Sequence, residues 1–139
     1  MERRDLIKDQ IEQLSKALAK ILSEFIQLKA NGDLNQAIEL SNQHYKSELD
    51  LDINKLLELN KSDMATYLHD KGLTFSHWES LSEYLAIVGA EKIDINTSEA
   101  REYLTKAIDI LDTVDETSKM MSFERMDKKS RIEDMLQSI

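Results

Sequence analysis

The 139-residue sequence contains no cysteine and no proline, and it has three glycines. Without cysteine there is no disulfide and no thiolate chemistry, which is typical of a cytoplasmic protein. Because proline is frequent in loops and disfavoured inside helices, a chain without it has little loop to spare. Neither a glycine-rich phosphate loop nor the Gly-x-Ser-x-Gly motif of hydrolases occurs. We therefore predict a cytoplasmic protein that lacks these chemistries.

Long apolar runs and strand patterns are also missing. No run approaches the ~18 apolar residues of a membrane span, and no segment alternates β-branched residues with turn signals. The N-terminus lacks the uninterrupted apolar core of a secretion signal, because charged and amide residues interrupt it between Lys8 and Gln13. The sequence thus predicts a soluble all-α protein that has no membrane partner.

The net charge of −9 is distributed unevenly along the chain. Residues 31–116 contain seven basic and eighteen acidic residues, whereas each terminal segment has a net charge of +1. Nucleic-acid binding through phosphate neutralisation is not expected for such a surface. The acidic middle suits a basic partner, and it equally suits a protein that is kept soluble and monodisperse by its charge.

The longest feature is an amphipathic run from Arg3 to Ala30, which neither glycine nor proline interrupts. Its apolar positions recur at alternating spacings of four and three: Ile7, Ile11, Leu14, Leu18, Ile21, Phe25 and Leu28. This spacing predicts a helix of about 40 Å at 1.5 Å per residue. The stripe also follows a heptad, which permits coiled-coil packing against a second copy. Coverage by later helices of the same chain is the alternative, and both stay open.

A tight helical hairpin is predicted after this run. Gly32 is suited to the left-handed conformation that ends a helix, and Asp33 is suited to cap the next helix, which runs to about Leu49. A turn of two residues allows only an antiparallel hairpin. The small side chain of Ala37 lets the two helices approach closely.

Capping and stop signals predict the later helices. Ser62, Ser76 and Asn96 are predicted N-caps of three helices. Gly72 and Gly89 are predicted to end the first two of these. A shorter helix is expected before them, ending near residue 60.

The C-terminal part, residues 115–139, allows two interpretations. It forms either one long helix with a polar middle or a frayed tail that becomes ordered only on contact. We predict a single domain over residues 1–139, in which residues 117–139 are either docked or a detached C-terminal helix.

Residues 28–40 resemble the turn of a tetratricopeptide hairpin, and residues 85–111 resemble such a unit more weakly. The first match rests on Leu28, Gly32, Asp33, Leu34 and Ala37, and the second on Ala100, Leu104, Ala107 and Ile108. The whole chain is similar to an uncharacterised family of small bacterial helical proteins, in the segment Ile11-Glu12-Gln13-Leu14 and in the Gly-Asp hairpin. The resemblance implies a compact all-α bundle of five to seven helices with tetratricopeptide-like antiparallel hairpins. It implies no activity.

Histidine offers the only candidate metal chemistry. His44 and Glu48 are four residues apart on a predicted helix, and His69 and His77 flank the turn at Gly72. A metal-binding or small-ligand-binding protein, or an enzyme using these groups, is the alternative function. Ordinary surface, capping and packing roles explain them more simply, so we predict no enzyme and no cofactor.

We predict a protein–protein interaction or self-association module, with a homodimer through the first helix as its specific form. The partner is not identified by the sequence. A methionine cluster near the C-terminus is expected to pack in the core. Because methionine adapts to irregular surfaces, a partner groove or dimer surface is the alternative for this cluster. The predicted interaction residues are Ile7, Ile11, Leu14, Leu18, Met120, Met121 and Met126. The predicted turn and packing residues are Gly32, Asp33, Ala37, Ala100 and Ala107.

The substitution Gly32→Ala tests the predicted hairpin. A Cβ is penalised in the left-handed conformation, so we expect the free energy of unfolding to fall by about 1 kcal/mol. Chemical denaturation of both proteins measures the difference. An unchanged free energy of unfolding would mean that the two helices join in another way.

Overall fold

The computed structural model describes residues 3–139, with side chains from Ile7 onward, and this part of the chain contains seven helices and no strand. The helices are α1 (Arg3–Ala30), α2 (Leu34–Leu49), α3 (Ile53–Glu58), α4 (Lys61–Asp70), α5 (Phe75–Lys92), α6 (Thr97–Ser118) and α7 (Phe123–Gln137). They pack around one continuous apolar core. The predicted all-α bundle of five to seven helices is confirmed.

The hairpin of α1 and α2 forms as predicted. Gly32 has a φ of +95°, and a Cβ added there would meet no atom within 4 Å, so any cost of a side chain comes from the backbone conformation. Asp33 caps α2, because its Oδ1 accepts the backbone N–H of Gln36 at 3.0 Å. Ala37 is completely buried between the helices.

The second hairpin, α5 with α6, has the most extensive helix–helix contact among the described residues. Gly89 lies against Leu104 so tightly that an added Cβ would come within 2.7 Å of the Leu104 Cγ. Ala100 and Ala107 are fully buried on α6, and the hydroxyl of Ser82 donates to the carbonyl of Ala107 at 2.9 Å. Small residues at the contact therefore bring the two backbones together.

The prediction that Gly89 ends α5 is wrong, because the helix continues to Lys92. Glycine serves here for close packing inside a helix, where its missing side chain makes room for Leu104. The cap at Asn96 is correct, since its side chain accepts the backbone N–H of Glu99 at 3.1 Å. The helix that follows extends to Ser118.

Two other predicted caps are wrong by two residues. Helix α4 is capped by Asn60, not Ser62, because the Asn60 Oδ1 accepts the backbone N–H of Asp63 at 2.8 Å. Helix α5 is capped at Thr74, not Ser76, since the backbone N–H of Thr74 donates to the Nδ1 of His77 at 3.0 Å. An imidazole takes the place in which a capping box usually has a carboxylate.

Helix α1 lies beside α5 and runs in the same direction. At one end the Nε2 of His77 is 3.1 Å from the carbonyl of Ile11, and at the other the ammonium of Lys29 donates to Glu91 at 2.8 Å. Between these contacts Phe25 packs edge-on against Tyr84, with ring centroids 5.5 Å apart. The middle of the α1 stripe is thus covered by the same chain.

The C-terminal residues form neither one long helix nor a frayed tail. Residues 115–118 complete α6, a short connection follows, and α7 is a separate helix that packs against α6. Ile132 on α7 is buried in the common core. Within the described part of the chain, no helix is both long and apolar enough to cross a membrane.

The substitution Gly89→Ala tests the close contact of α5 and α6. The new methyl group would overlap Leu104, and overpacking of this kind costs about 1–3 kcal/mol of the free energy of unfolding. Chemical denaturation of Gly89→Ala, Leu104→Ala and the double variant measures the coupling. We expect the double variant to lose less than the sum of the single losses. Strict additivity, or a neutral Gly89→Ala, would contradict the contact.

Candidate interaction surface

Four large apolar side chains are exposed together at the junction of α6 and α7. Met120 is 69% exposed, Met121 84%, Phe123 86% and Met126 46%. We call these four residues the methionine patch. The three methionines were predicted as interaction residues. Phe123 was missed, although its position three residues before Met126 places both on one face of a helix.

The backbone that carries the patch has a defined conformation. Lys119 ends α6 in the left-handed region, with a φ of +57°, where a residue with a side chain is disfavoured. Three residues later Ser122 caps α7, because its hydroxyl oxygen accepts the backbone N–H of Arg125 at 3.2 Å. A left-handed lysine persists where the surrounding structure holds it, so the connection is not a loose linker.

Arg125 holds the patch in place. Its side chain is 11% exposed, and its Nε donates to Asp115 on α6 at 2.6 Å. Its two terminal nitrogens donate to Glu79 on α5 at 3.3 Å and to the carbonyl of Met120 at 2.6 Å. One guanidinium therefore joins α5, α6, the connection and α7. Such charge-assisted bonds are stronger than neutral ones.

Asp115 is the centre of this ion-pair network. Burial alone would raise the pKa of its carboxyl, but the hydrogen bonds from Arg125 and Lys129 outweigh burial and the pKa is lowered. The ammonium of Lys129 also contacts Asp112 at 2.7 Å, and this bond, together with the one to Asp115, raises the pKa of Lys129. The lowered pKa of Asp115 and the raised pKa values of Lys129 and Arg125 keep these three groups charged at neutral pH, so their ion pairs hold α7 on α6.

An apolar cleft lies between α4 and α5, close to the patch. It has a volume of about 620 Å³, and Ala65, His69, Leu73, Phe75, Trp78 and Thr117 line it. The rings of Phe75 and Trp78 meet edge-to-face with centroids 5.5 Å apart, and the indole N–H donates to the carbonyl of Leu73 at 3.2 Å. We call this the aromatic cleft. Thr117, in the last turn of α6, is three residues before Met120.

The predicted surface on α1 is covered to different degrees along the helix. Ile7 is 50% exposed, Ile11 and Leu14 are half-buried, and Leu18 is 2% exposed. Leu18 is therefore a core residue and not part of an exposed surface. The difference arises because α2, with 16 residues, is shorter than α1, with 28, so it does not reach the first turns.

The predicted histidine pairs do not form metal sites. His44, on α2, contacts Glu24 on α1 and not its predicted partner Glu48: its Nδ1 is 3.2 Å from a Glu24 carboxylate oxygen. His77 is buried against α1, whereas His69 is exposed at the aromatic cleft, so the two side chains have different environments. In the described residues, no three or more His, Cys, Asp or Glu side chains are grouped so that they could hold a metal ion.

The fold and this surface define an all-α protein whose most prominent surface feature is an apolar patch on a fixed backbone. Comparison with family models, curated proteins and solved structures finds no match to the chain.

The substitution Asp115→Asn tests the ion-pair network. The folded-state pKa of Asp115 is lowered, so its charge stabilises the protein above the unfolded-state pKa of about 3.9 and this stabilisation is lost as the pH falls through the lower, folded-state value. We expect Asp115→Asn to lose about 1–3 kcal/mol of unfolding free energy at neutral pH.

The loss should shrink as the pH falls from 5 towards 2, because the wild-type carboxyl then becomes protonated as well. Denaturation across this pH range measures it. Asp127→Asn is the control, since Asp127 forms an exposed ion pair with Arg131 at 2.8 Å and both residues lie on α7. A loss that does not change with pH would contradict the proposed role of the Asp115 charge.

Proposed function

We propose that this protein is a non-catalytic interaction module that associates with a second copy of itself through the methionine patch. The observation that carries the proposal is the clustering of four exposed apolar side chains within seven residues. Together they expose an area on the order of several hundred Å², near the largest apolar patch of an ordinary monomer. Such patches are often binding surfaces.

The rigidity of the patch supports the proposal. Arg125 bonds to the carbonyl of Met120 and to two neighbouring helices, so the backbone is ordered before any partner arrives. Ordering a segment on binding costs free energy, and a segment that is already ordered avoids that cost. The flexible methionine side chains still adapt to the surface that they meet.

Charge favours a second copy at this place. Residues 117–139 contain five basic and four acidic residues, whereas residues 31–116 carry a net charge of −11. A contact that includes a C-terminal segment therefore brings fewer acidic side chains together than a contact between two acidic regions. Two patches bury on the order of 1,000 Å² in total, the lower limit of specific interfaces, so we expect a weak dimer at micromolar concentration.

The two antiparallel hairpins support the tetratricopeptide-like class that the sequence resembles. Helical hairpins of this class form extended surfaces for protein partners. The cysteine-free composition supports a cytoplasmic location as part of the same proposal.

Sedimentation velocity from low micromolar to submillimolar concentration tests the proposal. We expect a concentration-dependent dimer of the wild-type protein. The double substitution Met121→Ser with Phe123→Ser should raise the dissociation constant at least tenfold, by removing the two most exposed side chains. A monomer at every concentration would overturn the proposal.

Ile7→Ser is the matched control, because Ile7 is also an exposed apolar residue but lies on α1. We expect it to leave the dimer unchanged. If Ile7→Ser dissociates the dimer and the patch variant does not, self-association occurs through α1 and the patch proposal is wrong. Circular dichroism establishes that each variant remains folded.

A further inference from the structure

We infer that the methionine patch of one copy docks into the aromatic cleft of the other, twice, about a two-fold axis. The inference rests on the proposed self-association and specifies its geometry. The alternative within the same function is a contact of patch with patch. Shape, chemistry, position and charge each favour the patch in the cleft.

Shape is the first argument. Phe123 and Met121 project from the surface, with 86% and 84% of their area exposed, whereas the aromatic cleft is concave. A projecting ring buries more of its surface in a concave site than against a second projecting surface. The cleft is a wide, open depression of about 620 Å³, so it contacts a projecting side chain without enclosing it.

Chemistry is the second argument. The cleft presents the edge-to-face pair of Phe75 and Trp78, and Phe75 is 36% exposed. Methionine sulfur makes favourable contacts with aromatic rings, and aromatic rings also pair with each other. Phe75 is therefore the ring that the methionines and the phenylalanine of the patch contact, because Trp78 beneath it is only 4% exposed.

Position is the third argument. Thr117 lines the cleft and Met120 belongs to the patch, three residues further along the chain. Arg125 also bonds Met120 to Glu79, the residue after Trp78. Patch and cleft are thus neighbours on one molecule. A two-fold axis near them makes two identical contacts at once, so the interface approaches the standard size of about 800 Å² per partner.

Charge at the rim is the fourth argument. Lys119 is exposed beside the patch, and the exposed Asp63 and Asp70 lie on α4 one turn to either side of Thr66, which lines the cleft. Lys119 supplies the patch with a cation for this anionic rim, while the exposed Glu124 and Asp127 lie on the α7 side of the patch. Complementary charges of this kind orient an encounter and set its register more than they add affinity.

Disulfide trapping tests the geometry, and the absence of native cysteine makes each introduced thiol unique. Glu124→Cys places a thiol next to Phe123, and Thr66→Cys places one at the cleft; both positions are exposed. The two variants are mixed under mild oxidation at a concentration where the wild-type protein is dimeric. We expect a disulfide between residues 66 and 124 as the main product, identified by peptide mass.

Gln137→Cys mixed with Thr66→Cys is the control, because Gln137 is exposed at the far end of the same helix and should not crosslink. A dimer that crosslinks residue 124 to residue 124, without the 66–124 product, would overturn the inference and leave self-association intact. A protein that is monomeric throughout, without any crosslink, would overturn both.

Discussion

The close contact of α5 with α6 is the constraint on which the rest of the molecule depends. Gly89 has no side chain, and Ala100 and Ala107 have small ones, so Leu104 reaches the α5 backbone. Helices α1 and α7 are then positioned by this pair. α1 lies along α5 between the contacts of His77 and Lys29, and α7 lies against α6 through the ion pairs of Asp112 and Asp115.

Buried polar side chains connect these helices, and among the described residues no buried side-chain nitrogen or oxygen lacks a hydrogen-bond partner. The neutral ring of His77 accepts at Nδ1 from Thr74 and therefore carries its proton on Nε2, which is directed at Ile11 and Ser15 on α1. Tyr84 donates to Asn42 at 2.7 Å, and burial raises the pKa of its hydroxyl. His77 and Tyr84, whose side chains could in principle transfer a proton, are thus engaged in structural hydrogen bonds. We therefore base the functional proposal on the exposed apolar surface.

The methionine patch illustrates how a stable scaffold keeps apolar residues exposed. Four large side chains remain in contact with water, although hydrophobic burial would favour their collapse onto the core. Arg125 opposes that collapse, because its bonds to Asp115, Glu79 and the Met120 carbonyl hold the connection in one conformation. The exposed patch is thus held by a part-buried ion-pair network.

The sequence alone determined the helical class and the first hairpin, and it indicated the methionine cluster but not that the cluster stays exposed. These depend on local patterns: the heptad of α1, the Gly-Asp turn and the clustering of methionine between residues 120 and 126. Local patterns also place caps, but several residues compete for each cap. Thr74 and Asn60 were therefore missed, because only the folded backbone shows which side chain faces the free N–H groups.

Only the tertiary structure decided which apolar residues stay exposed. Leu18 and Ile7 occupy equivalent positions in the α1 stripe, yet one is buried and the other half exposed, because α2 is too short to cover both. The function of Gly89 likewise depends on Leu104, a residue from another helix. The aromatic cleft combines α4, α5 and the end of α6, so no segment predicts it. Periodicity tells which face of a helix is apolar, but the lengths and placement of distant helices decide how much of that face is covered.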